Sequence, residues 1–391
     1  MPNSPVSNSP VPTSQRARLA GAVPYVSQGV CFAALVTRIP TIQDRFGLDE
    51  GGLALLLGLV PIVAGVGSMA TGSAIARWGP GRTLRVVGPA TPLALVAVGL
   101  SQTMAMLVVT LALVGLALGC VDAAMTAHAA SVEAAYRRSI MASFFAVFSL
   151  AGILGAGLAA IAAGTSLSLG AFFALLAVVL VPAHLIAGPA LLRTAAPAPG
   201  AGAERPRTRV PWRPIVIIGI ALTCVYIADS AASNWSAVYL TNALDSSESV
   251  AALAYACYAL ATLLARVFVD RGVMARGPVL LVRLGALVAA LAAILIAVAP
   301  SQPWALAAFA LLGLGVAPVI PLAFTAAAQH DPAGSGVAIA RVNVFNYVGF
   351  VVGAPLIGLV ADFSPLRWAF AVLAPVLVVV IVLAPAFRVA S

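Results

Sequence analysis

The sequence predicts an all-α integral membrane protein with twelve transmembrane helices in two sets of six. Three observations lead there: a composition too apolar for water, apolar stretches of bilayer-spanning length repeated along the chain, and a one-sided distribution of arginine. Of the 391 residues, 62% are hydrophobic and 8% charged, whereas a soluble domain is about a quarter charged. The net charge of +9 does not indicate nucleic acid, because the arginines neither gather on one domain nor alternate with exposed aromatics. Cys31, Cys120, Cys224 and Cys257 all fall in apolar runs without metal-ligand spacing and read as small packing residues.

A bilayer-crossing helix needs about 20 apolar residues. The pattern places such helices near 17–37, 51–75, 84–101, 105–128, 139–163, 168–191, 214–237, 250–269, 279–299, 304–327, 337–362 and 366–387. The opening MPNSPVSNSPVPTSQ lacks both the basic start and the cleavage site of a signal peptide, and is expected as a disordered cytoplasmic tail over residues 1–16. With the N-terminus inside, one face receives Arg16, Arg18, Arg77, Arg82, Arg85, Arg137, Arg138, Arg193, Arg205, Arg207, Arg209, Arg213, Arg266, Arg271, Arg276, Arg283, Arg341 and Arg388. The other face receives Arg38, Arg45 and Arg367. Eighteen against three puts both termini in the cytoplasm by the positive-inside rule.

The longest polar interruption, RTAAPAPGAGAERPRTRVPWRP, follows the sixth span and reads as a flexible linker. It separates an N-terminal six-helix bundle, 17–192, from a C-terminal one, 214–387, with the linker at 193–213 and a short cytoplasmic end at 388–391. The loops after the second span of each half echo one another: ARWGPGRTLRVVG and ARGPVLLVRLG share an Ala-Arg, a Gly-Pro, an arginine five residues on and a further glycine. Transporters are commonly built from such repeats, with the solute held between them near the midplane.

At this point a resemblance becomes specific. GSAIARWGPGRTLR is similar to the loop motif Gly-x-Leu-Ala-Asp-Arg-x-Gly-Arg-Arg of the major facilitator superfamily, with Gly72, Arg77, Gly79 and Arg82 in place and Ala76 where the motif has aspartate. ARVFVDRG in the second half keeps the Asp-Arg pair as Asp270 and Arg271. GCVDAAMTAHAASVEAAYRR, ADSAASNWSAVYL and NYVGFVVGAPLIGLVAD resemble small bacterial permeases of the fucose-permease branch. The resemblance implies two six-helix bundles related by pseudo-two-fold symmetry, a cavity lined by spans one, four, seven, eight, ten and eleven, and a monomer. The loss of the motif acid at Ala76 bears on any gating latch it implies there.

Polar residues inside spans are functional candidates by default. Asp229 is the foremost, since a carboxylate at a span's centre costs about 2.5–3.5 kcal/mol on insertion scales. Tyr226, Asp229, Ser233 and Ser236 fall on one helical stripe, with Ser230, Asn234 and Trp235 alongside. The alternative is a structural aspartate held by serines or an arginine. Asp122 and Glu133 are eleven residues apart, about three turns, and so share a face with Thr126 between them. All three acids are proton-coupling candidates, though Glu133 also reads as a partner of Arg137 and Arg138. His128 suits a proton relay or plain packing.

Further cavity candidates are Tyr25, Gln28 and Phe32 in span one, Tyr255 and Tyr258 in span eight, and Asn343, Asn346 and Tyr347 in span eleven. The asparagines serve helix–helix hydrogen bonding equally well. Arg266, one face of span eight below Thr262, either snorkels or meets a neighbouring carboxylate; with Arg341, Asp270, Arg271 and the loop residues Arg77, Gly79 and Arg82 it forms the gating set. TRIPTIQDRFGLDE, with Arg38, reads as an interfacial loop. Span five, SLAGILGAGLAAIAAG, has small residues at helix-packing spacing.

There is no phosphate-binding Gly-Lys-Ser/Thr, no zinc spacing and no nucleophile elbow in the sequence, so no cofactor, metal or enzymatic role is expected. The expected function is secondary transport by alternating access, coupled to protons, of a small polar or cationic organic solute across the bacterial inner membrane. Efflux by proton antiport leads; a sugar-like uptake symporter or a uniporter is the alternative, and a membrane-embedded enzyme or non-transporting receptor the remote one. Asp229 and Asp122 would alternate between protonated and ionised forms as their surroundings change.

Overall fold

The computed structural model describes residues 12–48, 50–163, 165, 167–191, 210–246, 248–331 and 335–388. Among these residues there is no strand. Sixteen α-helices follow in order: α1 (Pro12–Thr37), α2 (Ile39–Phe46), α3 (Glu50–Trp78), α4 (Pro80–Val87), α5 (Ala90–Leu100), α6 (Met104–Tyr136), α7 (Met141–Ala163), α8 (Leu169–Ala187), α9 (Trp212–Leu244), α10 (Glu248–Arg276), α11 (Pro278–Ala297), α12 (Gln302–Val316), α13 (Val319–Gln329), α14 (Val337–Phe363), α15 (Leu366–Ala371) and α16 (Leu373–Leu383). They make up twelve segments long and apolar enough to cross a membrane. The protein is thus a multi-pass membrane protein.

Several boundaries differ from the sequence expectation for physical reasons. The third span starts at Pro80 rather than at residue 84, because α4 is amphipathic: Thr83 and Leu84 are buried while Arg82 and Arg85 are exposed. An apolar window passes over such a turn. This span breaks at Gly88–Pro89, and the tenth breaks at Ala317–Pro318, where proline withdraws a helical donor. The second span falls within α3, which begins at Glu50 and runs on to Trp78, three residues past the expected end. The expected tail is helical from Pro12, so residues 12–16 belong to α1, while residues 1–11 lie outside the described residues. So does most of the expected linker, residues 192–209. The loop expected around Arg38 is helix α2, ended by Gly47 in the left-handed region, and Arg38 itself is buried.

The repeat seen in the loops is a repeat of backbone conformation. Gly79 precedes Pro80 with φ 78° and ψ 158°, and Gly277 precedes Pro278 with φ 77° and ψ 161°. Glycine reaches this positive-φ turn without the clash a Cβ brings, and proline at the first helical position is already set for the helix behind it.

Packing follows the same symmetry. In the first half α1 packs on α7, α3 on α6 and α5 on α8; the counterparts in the second half are α9 on α14, α10 on α12 and α11 on α16. The small residues of span five are used here: a Cβ at Gly155 would lie 2.6 Å from Val30 O, so α7 approaches α1 more closely than a side chain would permit. The halves meet along α3–α14 and α7–α10, again a symmetric pair of seams.

Candidate functional site

Asp122 sits where α1, α6 and α14 converge. On one side the Gln28 amide donates to Asp122 Oδ1 at 3.0 Å and to Leu118 O at 3.1 Å, and accepts from Thr91 Oγ1 at 3.1 Å. On the other, Tyr347 Oη donates to Asp122 Oδ2 at 2.6 Å. Both carboxylate oxygens are therefore engaged, one from its own bundle and one from the opposite bundle. Gln28, expected along a cavity, is buried and acts as the clamp that orients Asp122.

Asp229 is built differently. Its Oδ1 accepts the hydroxyl of Tyr258, which belongs to the same bundle. Tyr258 is 2% exposed and stacks on Tyr255, which is 45% exposed, with centroids 5.9 Å apart. The inner ring of the pair is thus buried against Asp229 and the outer ring is exposed. Tyr226, one turn before Asp229, is half-buried.

Other members of the expected α9 stripe are occupied by helix packing. Ser233 and Asn234 donate to Ser230 O at 3.1 Å and 2.8 Å, and Ser230 donates to Phe350 O at 2.8 Å. Trp235 Nε1 donates to Ala354 O at 2.9 Å, which places the indole in the α9–α14 seam rather than free on a cavity wall. Tyr25 is fully buried between Phe144 and Phe145, with centroids at 5.3 Å and 5.7 Å. Thr126 is buried on the stripe between Asp122 and Glu133, and Phe32 is 37% exposed.

Toward the arginine-rich face the two bundles are stitched together. Asn343 Nδ2 donates to Ser68 Oγ at 3.2 Å, Ser68 Oγ donates to Ala340 O at 3.3 Å, and Asn346 Nδ2 donates to Asn343 Oδ1 at 3.2 Å. Of the two uses open to the asparagines, these bonds are the helix–helix one. Arg266 neither snorkels nor takes a carboxylate as hydrogen-bond partner. It reaches across to Ser149 Oγ at 2.5 Å and Phe145 O at 3.4 Å, with its guanidinium over the Phe145 ring. Phe145 stacks in turn on Phe324 at 5.8 Å. Arg341 donates to Val210 O at 2.9 Å and lies 3.9 Å over the Trp212 ring, tying the start of α9 to α14.

The outermost layer is a clasp on the start of α7. The first four N–H groups of a helix have no partner within it and carry partial positive charge. Here two carboxylates take them. Glu133 Oε2 accepts from Ile140 N at 2.8 Å and Met141 N at 2.7 Å. Asp270 accepts from Ala142 N at 3.2 Å, Ser143 N at 3.0 Å and Ser139 Oγ at 2.8 Å. Glu133 Oε1 accepts from Thr325 Oγ1 of the opposite bundle at 2.7 Å. This corrects the expected pairing of Glu133 with Arg137 and Arg138, both of which are exposed. The equivalent contact on the other seam is apolar: Gly336, at φ 72°, packs on Ile75, beside Ala76. Arg77, Arg82 and Arg271 are exposed, and Gly79 makes the turn.

Thr91, Ser149, Thr325 and Ser68 were not among the sequence candidates. Each is a lone hydroxyl in an apolar run, and such residues bond their own helix often enough to give no signal.

A polytopic helical protein of two matching bundles, with acids at their junction and one face stitched shut, has the form of a secondary transporter. Comparison with known proteins agrees. The Major Facilitator Superfamily model matches residues 19–337 and 218–391. An uncharacterised MFS-type transporter of Yersinia pestis is 32% identical over 358 residues, covering 90% of this chain and 91% of the relative. An uncharacterised transporter, y4wD, of Sinorhizobium fredii is 28% identical over 371 residues, covering 94% and 97%. Among solved structures, FucP, the E. coli fucose:proton symporter, in the outward conformation superposes with a TM-score of 0.74 at 13% identity, covering 95% of this chain and 98% of that one. The human organic anion transporter TETRAN gives 0.77 at 14%, covering 95% and 100%. The chain belongs to the Major Facilitator Superfamily.

Proposed function

We propose that this protein is a proton-coupled secondary transporter of the bacterial inner membrane, both termini cytoplasmic, which moves a small polar or cationic organic solute by alternating access. The observation that carries the proposal is the contrast between its two midplane acids. When two bundles rock as rigid bodies, bonds within a bundle survive and bonds between bundles break. The Tyr347–Asp122 bond crosses the seam and the Tyr258–Asp229 bond does not. Asp122 therefore changes its surroundings in each cycle, and a carboxyl whose surroundings change takes up or releases a proton. Asp229, with the open face of Tyr255 beside its Tyr258 partner, keeps its geometry and suits contact with the solute. An anion and an aromatic face side by side favour a cationic group. This ordering puts Asp122 ahead of Asp229 as the coupling group.

The test is a thermal-shift screen of the purified protein against sugars, amino acids, nucleosides and organic cations, then flux of any hit in proteoliposomes under an imposed proton gradient. Asp122→Asn is expected to abolish the dependence of flux on the gradient while leaving solute binding. Asp229→Asn is expected to weaken binding. Flux by the parent that ignores the gradient would remove the proton from the mechanism, and binding without flux would identify a receptor.

A further inference from the structure

A cleft of about 420 Å³ opens at the arginine-rich ends of α1, α6 and α7, away from the midplane acids. Its polar floor carries two cations on one aromatic ring: Arg18 and Arg138 lie over Tyr136, 5.9 Å and 5.8 Å from its centroid. Arg18 also donates to Ser143 Oγ at 3.1 Å. No acid lines the cleft. Its wall continues along the spans through Leu19, Ala22 and Val147, and Leu19 is 73% exposed. The cleft therefore passes from two cations at the end of the helices to an apolar slope running toward the membrane centre.

We propose that this cleft holds an anionic phospholipid, with its phosphate on Arg18 and Arg138 and an acyl chain along Leu19, Ala22 and Val147. The charge is complementary, since two guanidiniums and no acid line the cleft, Arg18 also lying within electrostatic reach of Asp270 behind Ser143, and arginine binds phosphate through several donors at once. The order of polarity along the helices is that of a lipid: headgroup at the end, hydrocarbon deeper. Basic pockets between transmembrane helices on this face recognise anionic headgroups. A free phosphate would use the arginines but leave the apolar slope unfilled. A second cleft of about 390 Å³ lies at the corresponding end of the other bundle, between Arg213 of α9 and Arg388. Paired arginines thus recur in both halves. The first cleft alone adjoins the clasp: Ser143, which receives Arg18, gives its N–H to Asp270. A bound headgroup sits one side chain away from the bond that joins the bundles.

Native mass spectrometry of the delipidated full-length protein decides the matter, titrating phosphatidylglycerol against phosphatidylcholine with inorganic phosphate as competitor. Phosphatidylglycerol is expected to bind more tightly. The double variant Arg18→Gln/Arg138→Gln should weaken it about thirtyfold, and Arg138→Gln alone about fivefold, with phosphatidylcholine unchanged. Arg138 is exposed and its removal leaves the fold intact, so the single variant is decisive even where the double one fails to purify. A control double variant, Arg82→Gln/Arg276→Gln, should lose less than twofold. Equal binding of the two lipids, an equal loss in the control, or displacement by millimolar phosphate would overturn the proposal.

Discussion

Replacing Asp270 by asparagine should release the arginine-rich face. All three donors to Asp270 (Ser139 Oγ, Ala142 N and Ser143 N) come from the opposite bundle, so the bonds exist only while the bundles are closed there. Asparagine keeps one acceptor oxygen, and its amide nitrogen faces at least one N–H it cannot accept. A donor left unsatisfied costs about 1–3 kcal/mol. The lost attraction between a negative charge and the α7 N-terminus adds about 0.3–1 kcal/mol. Asp270 is half-buried, which favours the lower half of the combined range of about 1.3–4 kcal/mol, so about 2 kcal/mol is a fair sum, or roughly thirtyfold in the closed-to-open ratio. Glu133→Gln is the internal comparison. Two of its three donors belong to its own bundle, and only Thr325 crosses, so its effect on the ratio should be about 1 kcal/mol, near fivefold. The assay is double electron–electron resonance between spin labels at Arg82→Cys and Arg276→Cys, with the four native cysteines replaced. The long-distance population should grow in Asp270→Asn and grow less in Glu133→Gln. An unchanged distribution in Asp270→Asn, or the reverse ranking, would refute the clasp.

Three further outcomes follow from the same geometry. Tyr347→Phe should reduce the dependence of flux on the proton gradient without lowering thermal stability by more than about 1 kcal/mol, the worth of one hydrogen bond, whereas Tyr258→Phe should raise the solute's KM and leave that dependence in place. Gly336→Ala should disfavour the closed arrangement, because its Cβ would lie 2.3 Å from Ile75 Cγ2 at a φ of 72°; the same resonance measurement reads the shift. Ala76→Asp should act in the opposite sense, since it returns an acid next to Ile75, whose side chain meets Gly336, the residue before α14. A gain of about 0.3–1 kcal/mol predicts up to fivefold more of the closed form, visible as partial rescue of Asp270→Asn.

The acids were legible because charge is conspicuous in a lipid-length run: Asp122 and Asp229 could be singled out from the sequence, and the repeated Gly-Pro loops foretold the matching turns at Gly79 and Gly277. Partners were not legible. Tyr347 stood in the sequence as one member of a polar face on span eleven, and nothing local says that this face meets Asp122, 225 residues away. Glu133 misled for the opposite reason. Its neighbours Arg137 and Arg138 are close in sequence, but the chain turns at Arg137, which adopts a left-handed φ of 51°, and the carboxylate meets the next helix instead. Trp235 failed likewise, because a backbone carbonyl such as Ala354 O has no signature in a list of side chains.

The two seams between the bundles are related by symmetry but not by chemistry. On the α7–α10 side, Asp270 takes the N–H groups of Ala142 and Ser143 and the Ser139 hydroxyl, and Arg266 reaches Ser149 and Phe145, which together form a polar fastening. On the α3–α14 side the corresponding level is Ile75 on Gly336 and Gly72 on Ala340, with Ser68 and Asn343 further in. Van der Waals contact of this kind changes little as surfaces slide, whereas charge-assisted bonds are lost over a short distance. Under the proposed rocking of the bundles, the α7–α10 seam is expected to lose its bonds on opening and the α3–α14 seam to act as the pivot. Ala76, the departure from the loop motif, supplies no carboxylate at that level and is itself exposed, so the second seam there rests on the packing of Ile75 and Gly72.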